Sequence, residues 1–270
     1  MQNAVHHYLF YYSMVRYFLE LAYDGTNYHG WQIQPNAASV QATINDALHK
    51  ALRRQVYIIG AGRTDTGVHA SYYVAHFETD EPIEDVGFVL HRLNVILPPD
   101  VAVYSLQSVA PDLHSRFSAQ KRTYKYYLST RKIPFTRNYC YRPNFKLDFA
   151  LMNEAASHLL SYHDFTSFAR LHADTATNEC TVTRAEWTQT GCDEWVFTIS
   201  ANRFLRNMVR AIVGTLIDVG RGRLTVGDFV TIIEAKNRCE ASTSAPAQAL
   251  FLHDIEYPDG FGFVPQKRPQ

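Results

Sequence analysis

Gly60-Ala61-Gly62-Arg63-Thr64-Asp65-Thr66-Gly67-Val68-His69 lies between two β-rich stretches, and its surroundings decide how the whole chain is read. Residues 55–60 and 72–78 are dominated by aromatic and β-branched side chains and read as strands on either side of a turn. Gly60-x-Gly62 invites a dinucleotide-binding reading, but Asp65 occupies the third glycine position and a strand follows where a crossover helix would be needed. The turn therefore belongs to an antiparallel α+β pattern. It holds one carboxylate, Asp65, beside a fixed cation, Arg63, with glycines that permit unusual backbone shapes and close approach of another molecule. Two readings stand side by side: Asp65 does chemistry, or Asp65 and Thr64 satisfy the turn's own backbone groups.

Outward from the turn, residues 16–23 read as a strand. Ser39 is placed to cap a helix whose apolar positions Val40, Ile44, Leu48 and Leu52 recur every four residues. Residues 83–95 read as a helix stopped by Pro98-Pro99, and 101–109 as a strand, giving β-α-β-β-α-β. The second half repeats that order. Residues 122–129 read as a strand and 148–160 as a helix with Leu151, Ala155 and Leu159 on one face. Residues 180–189 and 194–201 read as a hairpin turning at Gly191. A helix runs from about residue 203 to Gly220, a second starts at the Thr225-x-x-Asp228 cap, and 250–257 close as a strand. Two ferredoxin-like halves follow, with a mainly antiparallel sheet, a boundary near residues 110–120 (14–112 and 113–270), and a cleft between them as the natural ligand site. Residues 1–13 are expected to be a disordered extension or a matter of start-site choice, with Met14 a second possible start.

The chain has 270 residues, 46% apolar and 19% charged, an ordinary soluble composition. Lys plus Arg and Asp plus Glu are 26 each, so no global field attracts a polyanion. Cys140, Cys180, Cys192 and Cys239 form no C-x-x-C pair, which argues for reduced thiols in a cytoplasmic protein rather than a zinc site or disulfides. No apolar run is long enough for a membrane span.

Charge is distributed unevenly. Residues 113–147 contain nine basic residues, among them Arg116, Arg122 and Lys125, and no acid. Tyr124, Tyr126, Tyr127, Phe135, Tyr139 and Tyr141 are interleaved with them. Residues 203–223 hold five arginines and one acid, Asp218. Cations alternating with aromatics suit RNA, the cations taking phosphates and the rings stacking on bases, although a solvated strand face has the same composition. His69 reads as a structural hydrogen-bonder. A lone carboxylate without a metal, nucleotide or redox motif restricts the chemistry to hydrolysis, isomerisation or transfer within the substrate, with the carboxylate as base or nucleophile. A guanidinium would keep it ionised, and Arg63 and the arginines of the 203–210 segment are available.

Assembled, these blocks resemble one family. Gly62-Arg63-Thr64-Asp65-Thr66-Gly67-Val68-His69-Ala70 resembles the signature of the tRNA pseudouridine synthase A (TruA) family. Tyr23-Asp24-Gly25-Thr26, Gly30-Trp31-Gln32-x-Gln34, His114-Ser115-Arg116-Phe117-Ser118-Ala119, Lys121-Arg122-Thr123-Tyr124-Lys125-Tyr126, Asp164-Phe165-Thr166-Ser167-Phe168 and Phe204-Leu205-Arg206-Asn207-Met208-Val209-Arg210 continue it in order. The resemblance implies the pseudouridine synthase fold and a cofactor-free, metal-free isomerase. That enzyme would convert uridine to pseudouridine at nucleotides 38, 39 and 40 of the tRNA anticodon stem-loop, as a cytoplasmic homodimer. By position it makes Asp65 catalytic, Tyr124 the ring stacking on the target base, Arg210 the cation paired with Asp65, and Arg63 the residue that helps extrude the base. Arg116, Arg122 and Leu250 are the further substrate contacts it implies. Thr66, where alanine is more usual, and Ala249, where glycine commonly precedes Leu250, depart from the family pattern. Two rivals from other classes remain: a catalytically silent RNA-binding module, and an aspartate-dependent phosphohydrolase, which would need clustered acids for magnesium that the sequence does not offer.

Overall fold

The computed structural model describes residues 14–170 and 177–266; the 1–13 extension lies outside the described residues. The first half runs β1 (Val15–Tyr23), α1 (Val40–Leu52), β2 (Ile59–Gly60), β3 (His69–Thr79), α2 (Val86–Ile96) and β4 (Val101–Val109). The second runs β5 (Lys121–Ser129), α3 (Phe149–Ser157), β6 (Val182–Gly191), β7 (Glu194–Ala201), α4 (Met208–Gly220), α5 (Val226–Glu234) and β8 (Leu250–Glu256). The twice-repeated order is present, and the described residues build one mixed α+β sheet that is mainly antiparallel.

The strand path is β4-β1-β3-β8-β5-β7-β6, with β2 alongside β3. Each half thus uses the same local order, β4-β1-β3-β2 and β8-β5-β7-β6. They meet where β8 pairs with the start of β3 in parallel, His69 opposite Phe251 and Ala70 opposite Leu252. On the same edge of β3, further along, Ile59 and Gly60 of β2 pair with His76 and Ala75. The Asp65 turn therefore leaves the sheet from β2 and re-enters it at His69, against the strand contributed by the other half. Sheet register thus sets the turn at the junction.

Local signals account for most element starts. The Ser39 hydroxyl accepts from Ala42 N at 3.3 Å, and Val40, Ile44 and Leu48 of α1 are buried. Thr225 and Asp228 form a reciprocal capping box at α5. Four expectations shift. The strand expected over 55–60 shrinks to two residues because side chains of α1 capture the backbone of Ile58: Asn45 Oδ1 accepts from its N–H at 2.9 Å and Gln41 Nε2 donates to its carbonyl at 2.8 Å. The helix expected from 83 starts at Val86 because Asp85 caps it, while Ile83 N–H is taken by the Tyr17 hydroxyl. On α3 the buried face is Met152, Ala155 and Ala156, continued by Leu159 in a following 3-10 turn, and Leu151 points to solvent. The helix expected from about 203 starts at Met208, because Asn207 has a left-handed backbone, φ 66°.

Two apolar cores form, one mainly in each half, with Leu252 and Ile255 of β8 joining the first and Val68 joining the second. Phe18, Leu19, Leu21, Ile44, Leu48 and Phe77 belong to the first; Met152, Phe165, Phe197, Ile212, Leu216 and Phe229 belong to the second. Burying one such side chain contributes about 1.5–3 kcal/mol. β1 is buried on both faces, since the 257–266 segment covers the face away from α1: Phe263 meets Phe18 edge-on, and Gln266 N–H donates to the fully buried Glu20. The four cysteines are unpaired. Among the described residues no helix is long and apolar enough to cross a membrane.

Candidate functional site

The turn carrying Asp65 is held by the loop that follows β1. Trp31 N–H donates to Thr64 O at 3.3 Å, Gly67 N–H donates to Tyr28 O at 3.3 Å, and Gly25 N–H donates to His69 Nδ1 at 3.0 Å. Beneath it, the Tyr23 and Thr64 hydroxyls share a buried hydrogen bond of 2.8 Å, and the Tyr73 hydroxyl donates to Gly62 O. Trp31 stacks on Tyr73 with ring centroids 4.1 Å apart. Gly67 takes φ 74°, a conformation a side chain would strain. The turn is thus rigid from below, and the blocks Tyr23-Asp24-Gly25-Thr26 and Gly30-Trp31-Gln32 are its braces. His69 is buried and structural: Nε2 faces the Gln248 carbonyl at 3.1 Å, tying the turn to the second half, and burial lowers its pKa despite the nearby Asp24 carboxylate.

Above the turn lies a cavity of about 670 Å³ lined by both halves: His29, Gln32, Gln34 and residues 63–66 from one, and Arg170, Arg206, Asn207, Arg210 and Arg238 from the other. Five arginines and one carboxylate therefore face a common space. The side chain of Asp65 is 22% exposed, and each of its oxygens is opposite a different guanidinium: Arg210 Nη1 at 3.7 Å from Oδ2 and Arg206 Nε at 3.8 Å from Oδ1. The 241–245 segment frames this wall. The Ala245 carbonyl accepts from Arg210 Nε at 2.8 Å, Ser244 Oγ accepts from Asn207 Nδ2 at 2.7 Å, and the Ala241 carbonyl accepts from Arg238 Nη1 at 3.0 Å. Such a site suits a polyanion with a reactive centre at Asp65: cations for phosphates, and one carboxylate as base or nucleophile.

The residues singled out from the sequence divide. Asp65, Arg63 and Arg210 come together in the cavity wall, with Arg63 exposed. Tyr124, half-buried on β5, meets Phe204 edge-on at 5.1 Å. Burial raises its pKa, the Arg122 guanidinium opposes that, and the Asp65 charge adds to it, so its hydroxyl is neutral near pH 7. Arg122 has a different occupation. Its guanidinium donates to the carbonyls of Ala119, Asn202, Ala61 and Arg116, at 2.9, 2.8, 3.2 and 2.6 Å, and burial lowers its pKa. It clamps the chain before β5 to the end of β7 and to the Asp65 turn. Arg116 is exposed, with its guanidinium over the Phe117 ring. Leu250 is buried in the second core, opposite Tyr126. None of Tyr124, Arg122, Arg116 and Leu250 is among the residues lining the cavity; Tyr124 lies near enough for the Asp65 charge to act on it. His29, Gln32, Gln34, Arg170 and Arg238 were not singled out from the sequence, whereas Arg206 is one of the 203–210 arginines expected as partners of Asp65. Gln32 and Gln34 sit inside a contiguous family-like block, whereas Arg170 and Arg238 carry no local signal.

The family described as tRNA pseudouridine synthase matches residues 21–118 and 155–258. A tRNA pseudouridine synthase A of Bacteroides thetaiotaomicron is 58% identical over 248 residues, covering 91% of this chain and 92% of the relative. One of Bacteroides fragilis is 58% identical over 246 residues, 91% of this chain and 98% of the relative. A more distant one, from Thermoanaerobacter sp., is 41% identical over 240 residues, 87% of this chain and 96% of the relative. These matches span the Asp65 turn and the arginine wall alike. The chain belongs to the tRNA pseudouridine synthase family.

Proposed function

We propose that the protein isomerises uridine to pseudouridine at positions 38, 39 and 40 of the tRNA anticodon stem-loop, without a cofactor, as a cytoplasmic homodimer. The observation that carries this reading is Asp65, presented on a braced turn into an arginine-lined cavity between the halves. In the reaction the N1–C1′ bond breaks, the uracil rotates, and C5 bonds to C1′. The proton leaving C5 is matched by one gained at N1, so the nucleoside keeps its composition. Asp65 attacks the sugar, attacks the base, or removes a sugar proton; each route needs one ionised carboxylate within reach of the glycosidic bond and the atoms next to it. Arg210 holds that carboxylate in place. The target base is unreachable inside a stem, so extruding it costs a few kcal/mol. Tyr124 offsets this by stacking, and Arg63 occupies the space the base leaves. Arg116 meets the RNA outside the cavity.

The test is incubation of the purified protein with a full-length tRNA transcript carrying uridine at 38, 39 and 40, read by mass spectrometry of nucleosides and by position mapping. Pseudouridine at those positions supports the reading. Binding without conversion would instead favour a silent RNA-binding module, and light scattering of the free protein checks the dimer.

A further inference from the structure

The loop before α4 supplies one more cation than the Asp65 ion pair requires. The two guanidiniums flanking the carboxylate are held differently. Arg210 lies in the first turn of α4, its side chain is 22% exposed, and its Nε bond to the Ala245 carbonyl fixes it. Arg206 stands before the left-handed Asn207 and its side chain is 47% exposed. Its Nη groups have no hydrogen-bond partner among the described residues. An ion pair that long and that exposed is weak, so little retains Arg206 at Asp65.

A carboxylate between two guanidiniums is a site of net positive charge, and the substrate of the proposed reaction brings phosphodiesters of one negative charge each. The guanidinium fork matches a phosphate with two parallel hydrogen bonds. The geometry points to Arg206 as a phosphate-binding residue that leaves Asp65 when RNA enters and takes a phosphate beside the extruded nucleoside, while Arg210 stays with the carboxylate. Asp65 then meets the nucleoside with one cation at its side rather than two. Asn207 is what makes this arrangement possible. Its left-handed turn breaks the helix between Arg206 and Arg210, which would otherwise sit on one helical face, and Ser244 holds the turn.

The inference rests on the RNA-modifying function proposed above. Its test is equilibrium binding of full-length tRNA from about 50 to about 300 mM KCl, with steady-state kinetics, for the wild type, Arg206→Met and Arg206→Lys. Arg206→Met is expected to lower the slope of log affinity against log salt by about 0.7, one phosphate in a non-duplex region. It should raise KM about tenfold, with a much smaller change in kcat. Arg206→Lys keeps the charge and should retain the slope while recovering only part of the affinity. An unchanged slope and KM in the Met variant overturns the assignment, whether or not kcat falls. Failure of the functional reading would look different: the wild type itself would convert no uridine.

Discussion

Arg210 Nη1 stands 3.7 Å from Asp65 Oδ2, joining the first turn of α4 in the second half to the β2–β3 turn in the first. The same guanidinium donates through Nε to the Ala245 carbonyl at 2.8 Å. One side chain thus couples the Asp65 carboxylate to the frame of the cavity.

Asp65→Asn should bind tRNA yet lose turnover by about 10⁴-fold, as loss of an essential catalytic group does. Arg210→Met should lower kcat by about 100-fold, the usual cost of misplacing a reacting group by about 1 Å. Single-turnover conversion of tRNA measures both. An Asp65→Asn rate within about tenfold of wild type removes the carboxylate from the mechanism.

The proposed function assigns Tyr124 a role through its ring. Tyr124→Phe should leave tRNA affinity within about threefold, whereas Tyr124→Leu should weaken it by about 1–3 kcal/mol, the worth of one base–aromatic stack. Filter binding distinguishes the two. If Tyr124→Phe slows conversion as much as Asp65→Asn, the hydroxyl takes part in the chemistry.

Arg122 is a clamp on four carbonyls, so its removal should be read in stability rather than in salt dependence. Arg122→Met should cost about 2 kcal/mol by leaving the part-buried carbonyls of Ala61 and Ala119 without this donor, lowering Tm by about 5 °C. The salt slope of tRNA binding should match that of the wild type. A slope reduced at unchanged Tm would make Arg122 an RNA contact.

Gly214 inverts an ordinary rule. Alanine is better than glycine within a helix by about 1 kcal/mol. At position 214 an added Cβ would lie 2.0 Å from the Thr243 carbonyl oxygen, so α4 packs directly on the segment that frames the cavity. Gly214→Ala should therefore destabilise by about 3 kcal/mol in urea unfolding. A more stable variant would show that the 241–245 segment yields freely.

His76 sets a pH dependence. Burial, then the charges of His114 and Arg16, push its pKa from 6.5 down to about 3. The unfolded chain binds a proton there that the folded chain refuses. Stability is complete above about pH 6.5 and falls as pH drops toward 3, by about 1.4 kcal/mol per unit. His69 and His114 are lowered too and add in the same direction. The depressed carboxylates Asp24 and Asp164 lose their contributions only below about pH 3.8, so the window from 6.5 to 4 reports histidines. Urea midpoints of wild type and His76→Gln across that window should diverge in slope; parallel lines would contradict the assignment.

The order of elements was legible in both halves because its signals act over a few residues: the Ser39 and Thr225 caps, the four-residue apolar spacing of α1, and strand-like stretches around the Asp65 turn. The turn itself, Arg63 and Arg210 could be named because they lie in contiguous blocks. Several things could not be read that way. β2 is short because Gln41 and Asn45 take the backbone of Ile58, and α4 begins late because Ser244 supports a left-handed Asn207. The use of Arg122 as a clamp depends on carbonyls of Ala61, Arg116, Ala119 and Asn202 meeting at one point, and Arg206 meets Asp65 across the junction of the halves. Helix caps and turn glycines are encoded by neighbours along the chain. Which cation faces which carboxylate is encoded by strand register and packing between residues far apart in it, and those exist only once the sheet has closed.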